Sequence, residues 1–334
     1  MMGTMNNRCF VRSMALVSCQ KPLSDEWLEN PCLIESGYVR SQEPDSSKFI
    51  KPSEARRMSK ILKRAICTSL TALDAAGISN PDAIITGTGM GCMENTEKFL
   101  ADMATFGESC LKPTLFMQST HNTIGSLIGI MLKCHGYNTT YSHGGISFES
   151  ALLDAFVQLR LGAIRNALIG SHDENTPLTA RLTEWIHPEY RTLTETAMSS
   201  VITTDFRDAI CEIADVKILH RTSAAEVSAL IDSGKDTLLM LGVNGNEIND
   251  APYSELLAAL DHKPVCLRYR NIFGDNLSSS AAGFYAAVRI LEHQSIPAYM
   301  SLNDDGMHMS GISGITIINS SEDSTWTVTR LKAI

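Results

Sequence analysis

The stretch Pro113–Glu174, PTLFMQSTHNTIGSLIGIMLKCHGYNTTYSHGGISFESALLDAFVQLRLGAIRNALIGSHDE, decides how this chain folds. Its apolar residues change period along its length. Thr123 to Lys133 has the three-and-four spacing of a helix, Cys134 to Asn138 is a turn, and Thr139 to Ser142 a short β-branched strand. A second helix is predicted over Phe148–Leu161, and Asn166 to Gly170 reads as the strand that follows it.

The alternation continues outward in both directions. Toward the N-terminus, Ala55, Met58, Ile61, Leu62, Ala65, Ile66, Leu70 and Leu73 predict one amphipathic helix over Ser53–Ala76, with Ser53 as N-cap and Gly77 as its stop. Asp82 to Thr88 reads as a buried strand, Glu94 to Thr105 as a helix, and Cys9 to Ser18 as the first strand. Toward the C-terminus, strands are predicted near Ser200–Thr204, Ile210–Leu219, Thr237–Val243, Val265–Tyr269, Ile315–Asn319 and Thr325–Leu331. Helices are predicted over Ala224–Ser233, Tyr253–Leu260 and Ser279–Glu292. Such a train implies an α/β layered fold with helices packed on a sheet. It also implies two halves of similar element order, 1–205 and 206–334, without detectable identity between them.

Composition narrows the function. The 334 residues are 44% hydrophobic and 19% charged, ordinary for a globular chain. A net charge of −9, with Lys and Arg scattered apart from short clusters such as Arg56-Arg57 and Lys63-Arg64, leaves no basic stripe and argues against a nucleic-acid partner. The nine cysteines include no C-x-x-C pair, which argues against a zinc knuckle or disulfide ladder and fits reduced thiols in a cytoplasm. No apolar run has the length of a membrane span, and the apolar stretch Met14–Cys19 is too short for a secretory core.

The segment Asn122 to Ala155, with Gly136, Asn138, Ala151 and Asp154, resembles the core of the β-ketoacyl-carrier-protein synthases of the thiolase superfamily. There an Asn-led helix, a glycine turn, a strand and a sharp turn deliver a cysteine to the head of a buried helix. Leu161 to Gly170 resembles the turn and strand that follow. The resemblance implies a thiolase-like fold, two similar α/β halves in α-β-α-β-α layers, and puts Gly145 at the nucleophile's position. A thiol belongs there because unpaired N–H groups and the helix dipole favour a thiolate, whereas glycine has no atom to acylate. LMLGVNGNEIND places Asn244 at the first catalytic histidine, and RYRNIFGDNLSSSAAGFYAAVRIL places Arg270 at the lysine and Asp275 at the second histidine. The glycine-rich loop near the C-terminus is degenerate in MHMSGISGITIIN.

Losing Cys, both His and Lys removes nucleophile, carbonyl activation and decarboxylation together. That profile resembles the chain-length factors, which pair with an active ketosynthase, and the wording is most similar to partner subunits of bacterial type II aryl polyene systems. The resemblance implies a heterodimer with an active β-ketoacyl synthase, contact with acyl carrier protein through that partner, and no metal or organic cofactor. It also puts Phe116, Met117, Gln118, Ser119, Thr120, His121 and Asn122 at the partner interface beside the acyl tunnel.

Other readings compete. Gly87-Thr88-Gly89-Met90-Gly91 follows a strand, but its spacing is wrong for a dinucleotide loop. Ser147 with His143 as base is the alternative nucleophile pair, of an acyltransferase or thioester hydrolase; against it, Ser147 reads as a helix N-cap. Gly145 can instead serve a turn requiring positive φ. His172-Asp173-Glu174 reads as solvated loop rather than metal site, and Cys134, at a helix end, as structural.

Overall fold

The computed structural model describes residues 7–231, 237–261, 264–303, 311–321 and 324–334. Its strands are β1 (Cys9–Val17), β2 (Gly37–Tyr38), β3 (Ala83–Gly87), β4 (Tyr137–Tyr141), β5 (Asn166–Asp173), β6 (Thr192–Leu193), β7 (Thr196–Thr203), β8 (Cys211–Leu219), β9 (Thr237–Leu241), β10 (Cys266–Arg268), β11 (Gly314–Ser321) and β12 (Thr325–Lys332). The helices are α1 (Pro52–Ala55), α2 (Lys60–Ala76), α3 (Met93–Phe106), α4 (Pro113–Ser119), α5 (Thr123–Leu132), α6 (Ser147–Arg160), α7 (Pro177–Ile186), α8 (Ala224–Ser228), α9 (Glu247–Ala258), α10 (Arg270–Phe273) and α11 (Ser279–His293).

Among the described residues, strands pair in the order β10-β9-β11-β12-β8-β1-β7-β5-β3-β4. Read inward from the β4 edge, β4, β3, β5, β7 and β1 are the third, second, fourth, fifth and first strands of their set in chain order, and β10, β9, β11, β12 and β8 repeat that order from the other edge. The pairing senses repeat too: β3 is parallel to β4 and β5, β9 to β10 and β11, while β7 and β12 run antiparallel to their neighbours. The two sets meet where β1 pairs antiparallel with β8.

Strand alternation sorts the core into layers. Ala83 and Ile85 of β3 and Ala167 and Ile169 of β5 face one way, with Leu238 and Met240 of β9 and Ile315 and Ile317 of β11, around the buried faces of α6 and α11. Ile84 and Leu168 face the other way, onto Ile61, Leu62, Ala65 and Leu73 of α2 and Ile124 and Ile128 of α5. In the second set Leu239, Leu241 and Ile318 face Val227 of α8 and Tyr253 and Leu256 of α9. Two central helices between two half-sheets, each with outer helices, give the α-β-α-β-α arrangement.

Several boundaries differ from the sequence reading. The helix expected over Ser53–Ala76 breaks at residues 56–59, and the long helix starts after Ser59. Gly77 ends it in the left-handed region, φ 67°. Part of the expected Ala224–Ser233 helix and of the MHMSGISGITIIN loop lies outside the described residues. Lys63-Arg64 is not a basic patch, because Arg64 is buried against Glu43 and Glu195.

β3 approaches the head of α6 so closely that a Cβ on Gly87 would stand 2.5 Å from the Ser147 carbonyl oxygen. Backbone cannot step aside as a flexible side chain can. Gly87→Ala is therefore expected to destabilise the protein by about 3 kcal/mol in urea unfolding; an unchanged midpoint would show that the two elements can separate freely.

Candidate functional site

The chain enters α6 through a turn at residues 144–146, where Gly144 has φ 55° and Gly145 does not have positive φ. The expectation that Gly145 serves a left-handed turn is thus corrected: its neighbour does. A Cβ on Gly145 would meet only Ser321 Oγ, at 3.5 Å, an ordinary contact. Backbone and space would both accept a side chain at the head of α6.

Gly145 lines a cleft of about 660 Å³ together with His143, His187, Tyr190, Arg270, Asn319 and Ser321. The three other positions singled out in the second half converge. Asp275, 1% exposed, accepts Asn244 Nδ2 at 3.1 Å and Arg270 Nη1 at 2.9 Å through Oδ1, and the Arg191 N–H at 2.9 Å through Oδ2. Asn244 Nδ2 also donates to the Glu189 carbonyl oxygen. Arg270 and Asp275 neutralise one another as an ion pair within that network.

The Ser147 pairing does not assemble. Ile146 occupies the cap position, so Ser147 is the first helical residue rather than the N-cap. Its hydroxyl is fully buried, lies within donating distance of the Gly144 and Thr88 carbonyl oxygens at 2.7 and 3.1 Å, and accepts the His143 backbone N–H at 2.9 Å. The His143 ring turns instead to Ser150, Nδ1 to Oγ 2.9 Å.

The expected interface segment is α4 and the turn after it. Phe116 and Met117 are 57% and 67% exposed. Phe116 keeps one ring contact, with Phe99 of α3 at 5.5 Å. Gln118 is tied inward, accepting from Asn95 Nδ2 and donating to the Arg57 carbonyl oxygen. Ser119 and Thr120 donate their hydroxyls back to the carbonyl oxygens of Phe116 and Met117, while His121 and Asn122 are exposed. Among the described residues β4 forms one edge of the sheet, its Tyr137 exposed.

His172-Asp173-Glu174 is not a solvated loop: all three are buried at the end of β5. Asp173 accepts Thr88 Oγ1, the Gly89 and Met90 N–H groups and Ser278 Oγ, so it anchors the glycine turn after β3 to the start of α11. Burial pushes its carboxyl up while those donors pull it down. His172 has neither ring nitrogen partnered among the described residues, and burial pushes it down to about 3. Glu174 accepts the Glu94 N–H at 2.9 Å, and burial raises it to about 7 against that bond and the Arg64 charge. Glu149, in the first turn of α6, was likewise missed. The only signal for these acids was an apolar run on one side, Ala167–Ile169 before Asp173 and Glu174 and Ala151–Leu153 after Glu149. Among the described residues no three His, Cys, Asp or Glu side chains are placed to hold a metal ion, and no helix is long and apolar enough to cross a membrane.

Residues 25–182 match the sequence model of the beta-ketoacyl synthase N-terminal domain. None of the curated proteins matches the chain. Among solved structures it is similar to AntDE:AntF, a type II PKS acyl-carrier protein in complex with its ketosynthase bound to the hexaketide, with TM-score 0.80 and 14% identity over 98% of this chain and 100% of that one. It is similar to the ishigamide ketosynthase/chain length factor, with TM-score 0.79 and 14% identity over the same shares. A third similar structure is a beta-ketoacyl synthase from Burkholderia phymatum, with TM-score 0.78, 12% identity, and 98% and 100% of the two chains covered. At these identities the likeness shows the fold.

Two measurements follow. Gly145→Cys is expected to leave thermal unfolding unchanged and to add one maleimide-reactive thiol; a lower midpoint would mean that the backbone there needs glycine. A carboxyl with a raised folded pKa holds its proton more tightly folded than unfolded, so Glu174 contributes stability that is full below its ordinary value of 4.5 and is lost as pH rises through about 7. Between pH 4.5 and 8 the wild type should lose roughly 3 kcal/mol more than Glu174→Gln in denaturant titrations; parallel pH profiles would contradict this.

Proposed function

We propose that this chain, β-ketoacyl synthase-like in sequence over residues 25–182 and thiolase-like in fold throughout, is a non-catalytic chain-length-factor-like subunit. It pairs with an active β-ketoacyl synthase in a type II system of the aryl polyene kind, in the cytoplasm, and meets acyl carrier protein through that partner. In this reading its two halves divide at 205/206, and residues Phe116–Asn122 close part of the acyl tunnel beside the shared interface.

The observation that carries the reading is Gly145. Backbone conformation and free space would both tolerate a cysteine there, so the absence of a nucleophile is not a folding requirement. Its companions point the same way: Asn244 Nδ2 and Arg270 Nη1 both donate to Asp275. The exposed Phe116 and Met117 are the kind of apolar surface a partner chain covers, and β4 is a sheet-edge strand among the described residues. The hydrolase alternative is disfavoured by the buried Ser147 hydroxyl and by the orientation of His143 toward Ser150.

Co-expression with a ketosynthase that retains its cysteine and both histidines should yield a stable heterodimer on size-exclusion chromatography. In that pair, Met117→Trp should shorten the main product, since overfilling a packed tunnel end costs ~1–3 kcal/mol. Separate elution of the two chains, or an unchanged product distribution, would count against the assignment.

A further inference from the structure

We propose that the apolar pocket beside the cleft receives the end of an acyl chain that carries a hydroxyl group, and that Glu174 is the residue that recognises that hydroxyl. The inference rests on the reading of this chain as a subunit that shapes an acyl tunnel, and it adds a chemical class to what the tunnel holds.

The pocket has a volume of about 260 Å³ and adjoins the larger cleft, with His187, Tyr190, Asn276 and Leu277 lining both. Met90, Met93, Leu182, Ile186 and Leu193 give it apolar walls. Such walls suit hydrocarbon, but its lining also includes Asp173 and Glu174. Apolar pockets set specificity through a few placed polar groups, and a buried carboxyl without a full set of donors is costly unless a ligand completes it.

The two acids are not equivalent. Asp173 takes hydrogen bonds on both oxygens, from Thr88, Gly89, Met90 and Ser278, and has little left to offer a ligand. Glu174 is 4% exposed and takes a single hydrogen bond among the described residues, from the Glu94 N–H to Oε1. Its Oε2 accepts none, and it is absent from the sealed, unpartnered buried atoms, so that oxygen retains an opening. Glu174, with this oxygen free to accept, is thus one of the residues that line the apolar, chain-sized space. A hydroxyl donor at the end of an otherwise apolar chain would satisfy Oε2 without placing a second charge in the pocket. A cationic end group would fit the carboxylate but would have to be desolvated among methionine and leucine side chains.

The test is calorimetric titration of the purified full chain with hexanoyl and 6-hydroxyhexanoyl N-acetylcysteamine thioesters. The wild type should bind the hydroxylated probe about tenfold more tightly, the size expected of one hydrogen bond to a buried acceptor. Glu174→Gln, which keeps an acceptor and the Glu94 contact, should retain most of that preference. Glu174→Met should bring the two probes to within about twofold of each other by weakening only the hydroxylated one. Equal affinities in the wild type, a preference that persists in Glu174→Met, or no binding of either probe would overturn the proposal. All three results leave pairing with a ketosynthase untouched, whereas a preserved hydroxyl preference with no co-elution would sink the subunit reading alone.

Discussion

The carboxylate of Glu149 is the contact on which the arrangement of the two halves depends. It is 2% exposed in the first turn of α6, and among the described residues every side-chain donor it takes comes from the second half: Ser280 of α11 at 3.1 Å, Asn319 of β11 at 2.9 Å and Thr327 of β12 at 3.1 Å. Burial pushes its carboxyl up, with no cation among the side-chain partners to compensate. A buried acid held by neutral donors costs desolvation, so the three contacts must be made together or not at all. Glu149 thereby pins the head of α6 to the opposite half-sheet, four residues beyond Gly145, while Phe148 packs on Phe284 of α11 at 5.3 Å.

From that fixed point the cleft follows. With α6 held between the half-sheets, Gly145 faces Arg270, Asn319 and Ser321 across a space bounded by both halves. On the polar side of that space Arg270 lines the wall, its Nη1 held by Asp275, which also takes the Asn244 amide. The energetics agree with the proposed role: an uncompensated base or nucleophile in such a cleft would be retained for chemistry, whereas a closed ion pair with amide support holds a shape.

Much of this was legible in the residues. The alternation of helical and strand periods placed β3, α5, β4, α6 and β5 to within a few residues, because the buried runs of β3 and β5 and the buried faces of α5 and α6 bracket the β-branched β4. The duplicated strand order was visible only as element order, since topology is conserved through packing geometry and not through identity. The positions Gly145, Arg270 and Asp275 were found by motif, but the contacts among Asn244, Arg270 and Asp275 could not be, because they join residues far apart in the chain. Local reasoning failed most clearly at His172-Asp173-Glu174: three polar residues after a strand look solvated, and only the packing of α3 and α11 over the end of β5 buries them. It failed also at Arg56–Ser59, where a helical pattern continues through a break that tertiary contacts impose.

The central claim is that the head of α6 carries no acyl group. Intact-protein mass spectrometry of the chain, purified with an active ketosynthase and exposed to an acylated carrier protein, tests it most directly. The acyl mass should appear on the ketosynthase alone, with this chain at its unmodified mass. An acyl adduct on this chain that maps to the segment from His143 to Ser150 would contradict the account.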